Sequence, residues 1–274
     1  MTMDACRTLI EAVAREAGDL LRGRLHDRHF IQYKGEINLV TEADRLSELL
    51  IVERIRWEFP MHDILTEESP ETTNGSDFRW IIDPLDGTTN YAHGYPVFCV
   101  SIALEVTGVI MLGVVYNPML DELFTAERGA GAFLNGKRLT VSRTETLSRS
   151  LLATGFPYDI REDRNNNINY FEVMALSAQA VRRAGSAALD LAYLAAGRFD
   201  GFWELKLMPW DTAAGWLLVE EAGGGVTDLC GDPYHLHSRN MLASNSLIHA
   251  EMVRILAGTD PLYEPYQNRV RKVK

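Results

Sequence analysis

Cysteine is scarce in this 274-residue chain: only Cys6, Cys99 and Cys230 occur, far apart, with no CxxC pair and no zinc-ligand spacing. That excludes a disulfide scaffold and fits a reducing compartment, so a cytoplasmic location is expected. Long apolar runs are missing too. Stretches such as Val109–Tyr116 fall well short of the roughly 20 residues that a spanning helix needs, so no membrane segment is expected. The first residues, MTMDACRTLI, place an acid early and lack an apolar core, so a signal peptide is not expected. Basic charge is in deficit: 27 Lys and Arg stand against 38 Asp and Glu, a formal net charge of -11. A nucleic-acid reader usually carries a basic face, so nucleic acid is not an expected partner. No G-x-G-x-x-G follows a strand, and Gly223-Gly224-Gly225 closes a helix where a dinucleotide fingerprint would open one. Internal repeats and low-complexity segments are absent.

What remains is an ordinary globular composition, 46% hydrophobic, near the size at which one core gives way to two. Leu9, Ile10, Val13, Ala14, Ala17, Leu20 and Leu21 recur at helical spacing and predict an amphipathic first helix. A second helix is predicted from about Asp44 through Leu49, Leu50, Val52 and Ile55 to Pro60. Trp80, Ile81 and Ile82 read as a short strand that stops at Asp83-Pro84. Residues 98–106 and 109–116 read as a hairpin about Thr107-Gly108, and Asn135-Gly136 marks a further turn of an antiparallel meander. Near residue 150 the rhythm changes to strands alternating with helices. The expectation is therefore an α+β subdomain over 1–148 with an antiparallel sheet and most of the acidic candidates, followed by an α/β subdomain over 149–274. No Pro-, Gly- or Ser-rich linker separates them, so they should pack tightly. The basic tail, Arg269 to Lys274, is expected to be solvated and frayed.

The chemistry concentrates in Trp80-Ile-Ile-Asp83-Pro84-Leu85-Asp86-Gly87-Thr88-Thr89-Asn90. An apolar strand delivers two carboxylates to its end, and both can converge on a hard cation that wants oxygen ligands. A helix starting just after them would turn free N–H groups and its positive dipole end toward an anion. Taken apart, Asp-Pro and Asp-Gly are ordinary turn pairs. A second stretch, Pro209-Trp210-Asp211-Thr-Ala-Ala-Gly215, places Asp211 where a helix N-cap is wanted. Thr66-Glu67-Glu68-Ser69 reads alone as solvated charge, Asp44 as an N-cap of the second helix, and Ser186 in Gly185-Ser186-Ala187-Ala188 as another N-cap.

Together these stretches resemble the signatures of the inositol monophosphatase family, within the lithium-sensitive phosphatase superfamily. They occur in the right order and spacing from about residue 5 to 258. The resemblance implies a layered α-β-α-β-α sandwich of the sugar-phosphatase type, a homodimer, inhibition by Li⁺, and two or three Mg²⁺ ions per active site. By resemblance, Glu67, Asp83 and the Leu85 carbonyl hold one ion, while Asp83, Asp86 and Asp211 hold a second. Thr88 and Asp44 orient and deprotonate the attacking water, with Glu67 counted among the catalytic residues. Gly87 and Thr88 receive the phosphate; Asp86, Gly185, Ser186, Ala187 and Glu204 contact the alcohol. Lys34-Gly35-Glu36 resembles the loop that closes over the metals. One departure is Thr66, where the family commonly has Gly.

The expected substrate is a small sugar or cyclitol monophosphate, inositol 1-phosphate first. Thr89-Asn90-Tyr91 looks more like the inositol branch than the nucleotide 3′-phosphatase branch. Fructose-1,6-bisphosphatase and histidinol-phosphate phosphatase activities remain alternatives on the same scaffold, because metal carboxylates set the chemistry and peripheral residues set the alcohol. A chain that keeps the fold and serves only as a partner-binding regulator would be expected to have lost a ligand carboxylate, and none is lost here.

Overall fold

The computed structural model describes residues 3–27, 31–33 and 39–259. The Lys34–Glu36 segment and the basic tail lie outside the described residues. Helix α1 spans Met3–Arg24 and α2 spans Glu42–Glu58, preceded by a two-stranded ribbon of β1 (Ile31–Tyr33) and β2 (Leu39–Thr41). A seven-stranded sheet follows in sequence order: β3 (Asp63–Thr66), β4 (Phe78–Asp86), β5 (Cys99–Val106), β6 (Val109–Asn117), β7 (Glu122–Glu127), β8 (Gly131–Leu134) and β9 (Lys137–Arg138). All neighbours pair antiparallel except β3 and β4. The short helix α3, Thr88–Ala92, sits between β4 and β5. The two expected turns are present: Thr107 and Gly108 take φ of 49 and 84, Asn135 and Gly136 take 48 and 78, the paired left-handed residues of tight hairpins.

The second sheet mixes parallel and antiparallel pairs. Its strands are β10 (Leu151–Thr154), β11 (Ala180–Arg182), β12 (Gly201–Glu204), β13 (Gly225–Thr227) and β14 (Met241–Ser244), in the spatial order β11-β10-β12-β14-β13. The helices of this half are α4 (Ile168–Ser177), α5 (Ala187–Ala195), α6 (Pro209–Glu221) and α7 (His249–Ala257).

Side-chain alternation assigns the layers. Trp80 and Ile82 of β4, with Val100, Ile102 and Leu104 of β5, pack on the buried faces of α1 and α2. Ile81, Ala103 and Phe124 point the other way, onto α5 and α6. Those two helices also cover Ala153, Phe202 and Ala243 of the second sheet. The opposite side of that sheet, Leu152, Trp203 and Leu242, packs on Met174 of α4 and Met252 of α7. The result is the expected α-β-α-β-α sandwich, with α5 and α6 as its shared middle layer.

Two details correct the sequence reading. Strand β4 does not stop at Asp83 but runs on to Asp86. Its pairing with β5 supplies the reason: Asp83 faces Ser101 and Asp86 faces Cys99, so three steps on β4 match two on β5, a one-residue bulge. Helix α2 buries the expected Ile55, with Leu50 and Val52 half-buried against the core, but polar side chains share that face. Leu49 is 53% exposed, whereas Asp44, Ser47, Glu48, Ile51 and Ile55 are buried.

Candidate active site

The bulge decides where the signature carboxylates point. Residues three apart on a regular strand face opposite sides of the sheet. Asp83, two residues beyond Ile81, already faces α5 and α6. The extra residue turns Leu85 into the opposite core, among Trp80 and Ile82. Asp86 is thereby returned to the side of Asp83. There its Oδ2 accepts hydrogen bonds from Ser186 Oγ at 2.7 Å and from the Ala188 N–H at 2.7 Å, with the Cys99 thiol at 3.9 Å. Asp83 Oδ1 accepts the Leu85 N–H at 3.0 Å. Gly87 then adopts φ 96 as it enters α3, and a Cβ there would sit 2.9 Å from the Val97 carbonyl oxygen. Glycine is required on both counts.

Asp44 and Asp211 are not N-caps. Each stands at the third position of its helix and accepts the N–H of the N-cap residue; at α2 the Thr41 side chain completes a capping box, whereas Met208 at α6 makes no side-chain cap. Thr41 caps α2, and its N–H and hydroxyl bond Asp44 Oδ2 at 2.8 and 2.6 Å. The other oxygen, Oδ1, accepts the Thr88 hydroxyl at 2.9 Å; that hydroxyl also lies 3.1 Å from the Leu85 carbonyl. Asp211 Oδ2 accepts the Met208 N–H at 2.7 Å. Ser186 does cap α5, accepting the Leu189 N–H, while donating to Asp86.

A cleft of about 610 Å³ opens beside these groups. Asp86, Gly87, Gly185, Ser186, Ala187, Glu204 and Asp211 line it. Asp44, Asp83, Leu85 and Thr88 are buried and do not line it, and Glu67 stands within electrostatic reach of Asp83 and Asp211. Burial, then the nearby Glu67, Asp86 and Asp211 carboxylates, hold Asp83 far above the usual carboxylate range. Burial likewise raises Asp86, opposed by its bonds from Ser186 and the backbone. Asp211 is raised well above its ordinary value by burial, against the Met208 N–H. Burial raises Asp44 as well, opposed by Thr41 and Thr88. Glu204 is pushed up to about 8 by burial and by Asp86.

Such a cluster of hard oxygen donors, driven toward neutrality by burial and by one another, suits a divalent cation that would let all of them ionise. Among the described residues no three His, Cys, Asp or Glu side chains are drawn together as a preset cation cage. The fit therefore rests on donor chemistry and a shared field, with closure left to an incoming ion.

Several residues here were not singled out from sequence. Asp190 on α5 is buried beside Glu204 and lines the cleft, and its Oδ1 has no hydrogen-bond partner. Glu48 braces the Thr66–Ser69 turn. Gly155 leaves room for Glu204, whose carboxylate a Cβ at that position would overlap. Tyr158 lines the cleft mouth, on a loop tied down by Lys206, whose Nζ bonds Asp159 and Asp163 at 2.6 Å each. The Asp44–Ser47–Glu48 spacing, polar where a helix would bury apolar residues, was the one available signal.

The inositol monophosphatase family profile matches residues 3–258. The chain is 48% identical over 238 residues to the inositol-1-monophosphatase of Synechocystis sp., covering 86% of this chain and 83% of that one. It is 45% identical over 243 residues to the Nus factor SuhB of Escherichia coli K12, covering 88% and 91%. Among solved structures, the inositol monophosphatase from Anabaena superposes with a TM-score of 0.87 at 45% identity, covering 96% of this chain and 99% of that one. The Thermotoga maritima IMPase gives 0.84 at 36% identity, covering 100% of both.

Proposed function

The chain belongs to the inositol monophosphatase family and is a phosphoric monoester hydrolase, and on that premise we propose that it hydrolyses inositol 1-phosphate to inositol and phosphate with two or three Mg²⁺ ions. The observation that carries this reading is that Asp86 and Asp211, from opposite halves of the chain, line one cleft, with buried Asp83 and with Glu67 in electrostatic reach of them. Held by those carboxylates and the Leu85 carbonyl, divalent cations would supply positive charge against the phosphate and acidify a water molecule. Thr88 accepts the proton of that water as it passes its own to Asp44 Oδ1, along the 2.9 Å bond already in place. The raised basicity of buried Asp44 favours this transfer. The water oxygen forms the new bond to phosphorus as the bond to the ester oxygen breaks, and that oxygen takes a proton from solvent in the cleft to leave as the alcohol, so no protein nucleophile is needed. Gly87 and Thr88 receive the phosphate. Asp86, Glu204 and the Gly185–Ala187 turn face the departing alcohol across the cleft.

The same reading includes inhibition by Li⁺, assembly as a homodimer and a cytoplasmic location. Among the described residues, no helix is long and apolar enough to cross a membrane. A second reading follows from the relatives named Nus factor SuhB: a protein-binding role that needs no turnover. The retained carboxylates favour catalysis. Phosphate release across purified monophosphates and bisphosphates tests the choice. Preference for inositol 1-phosphate supports the proposal; far better turnover of fructose 1,6-bisphosphate or histidinol phosphate moves the substrate elsewhere; no turnover with any ester favours the second reading.

A further inference from the structure

Helix α2 presents three buried polar side chains, Asp44, Ser47 and Glu48, along one face at the i, i+3, i+4 spacing that stacks side chains on a helix. Each reaches a different segment of the active site. Asp44 holds Thr88. Ser47 Oγ donates to the Pro84 carbonyl in the β4 bulge at 2.7 Å. Glu48 grips the turn that carries Glu67: its Oε2 accepts the Thr66 hydroxyl at 2.6 Å and the Glu68 N–H at 3.0 Å, and its Oε1 accepts the Ser69 hydroxyl.

Glu67 therefore lies between two residues, Thr66 and Glu68, that are both bonded to one buried oxygen. The Glu68 N–H bond holds the backbone directly after Glu67, and the Thr66 hydroxyl bond ties the side chain directly before it. A buried carboxylate accepting three donors on a four-residue turn is more than surface charge requires, because each lost bond would leave a buried group unpaired.

We propose that Glu48 is a positioning residue that sets the Glu67 carboxylate for cation binding. This rests on the reading that Glu67 takes part in holding a divalent cation. Groups that orient ligands in this way are typically worth about 10- to 100-fold in metal affinity.

The test is direct binding of Mg²⁺ to the purified full chain by isothermal titration calorimetry, without substrate, alongside the Mg²⁺ concentration that half-activates phosphate release. Glu48→Ala should weaken both by about tenfold or more. Glu48→Gln should stay within about threefold of wild type, because its amide oxygen can take the Oε2 bonds and its NH₂ can meet the rotatable Ser69 hydroxyl. Ser69→Ala, on the exposed turn, removes one bond without touching the core and should give a smaller loss in the same direction. In a Glu67→Gln background, Glu48→Ala should add no further loss of Mg²⁺ affinity. A Glu48→Ala protein with lowered melting temperature but wild-type Mg²⁺ affinity overturns the proposal, as does an additive loss in the Glu67→Gln background. A wild-type chain that binds no Mg²⁺ overturns the cation reading and this inference with it.

Discussion

The Thr88 hydroxyl donates to Asp44 Oδ1 at 2.9 Å, joining the start of α3 to the first turn of α2. Asp44 can serve Thr88 because its other oxygen is fully engaged by Thr41. Thr88→Ala and Asp44→Asn should each lower kcat by about 10²- to 10⁴-fold. Asp44→Asn keeps an amide oxygen for the two Thr41 donors and turns its NH₂ toward the Thr88 hydroxyl, so stability should change little. Turnover at saturating Mg²⁺, read beside thermal melts, checks both. Turnover within a few-fold of wild type in either variant would remove the pair from the proton path.

Asp86 and Asp211 come from opposite halves of the chain and meet only through the middle layer. Asp86→Asn and Asp211→Asn should each cut kcat by about 100-fold or more while the protein stays folded. The Asp86 swap leaves an amide oxygen that can still accept from Ser186 and Ala188, so the start of α5 should hold. Steady-state assays across an Mg²⁺ series are the measurement. Near-normal turnover at saturating Mg²⁺ would show that neither group belongs to the cation site.

Glu204 and Gly155 should fail together. The Glu204 carboxylate occupies the space that a side chain on Gly155 would need, so Gly155→Ala should displace it. Both Glu204→Gln and Gly155→Ala are expected to lower kcat/KM more for inositol 1-phosphate than for 2-phosphoglycerol, which offers fewer hydroxyls to pair. Equal losses on the two esters would make Glu204 a structural residue.

His62 gives a pH prediction away from the site. Its ring is buried between Phe59 and Phe78, at centroid distances of 4.8 and 4.7 Å, and its Nδ1 accepts the Trp80 indole N–H at 3.0 Å. Burial holds its pKa below the ordinary 6.5, partly offset by Asp63. In that window the unfolded chain binds the proton and the folded chain does not. Stability from this group is therefore complete above about pH 6.5 and falls as pH drops toward the folded value. Melting temperatures from pH 8 to 5 should fall less steeply in His62→Phe than in wild type. Parallel curves would contradict the assignment.

How far the sequence reached can be seen in single residues. The apolar spacing of α1, the hairpin turns and the alternation after residue 150 are local signals that mark the elements of the two halves, whereas the layered order rested on the family resemblance. Asp83 and Asp86 were legible as a converging pair, but the means of convergence was not. Their convergence depends on a bulge set by β5, which lies more than a dozen residues further along the chain. Asp44 and Asp211 were legible at helix starts, yet their place one turn in, accepting the N–H of the N-cap residue, needed the backbone geometry. Asn90 and Tyr91 illustrate the opposite case. They marked a family branch in the sequence, but Asn90 Nδ2 bonds the carbonyls of Val97 and Ala184, and the buried Tyr91 hydroxyl bonds the Leu21 carbonyl. Any bearing they have on the substrate acts through the scaffold. Glu48 and Asp190 were missed because a helical acid reads as solvated until its neighbours are known.

The central claim is cation-dependent hydrolysis of a phosphate ester, and one measurement bears on it most directly: phosphate release from inositol 1-phosphate by the purified chain before chelation, after exhaustive chelation, and after Mg²⁺ is restored. The account predicts release that disappears with the cation, returns with Mg²⁺ and is suppressed by Li⁺. Undiminished release after chelation would contradict it.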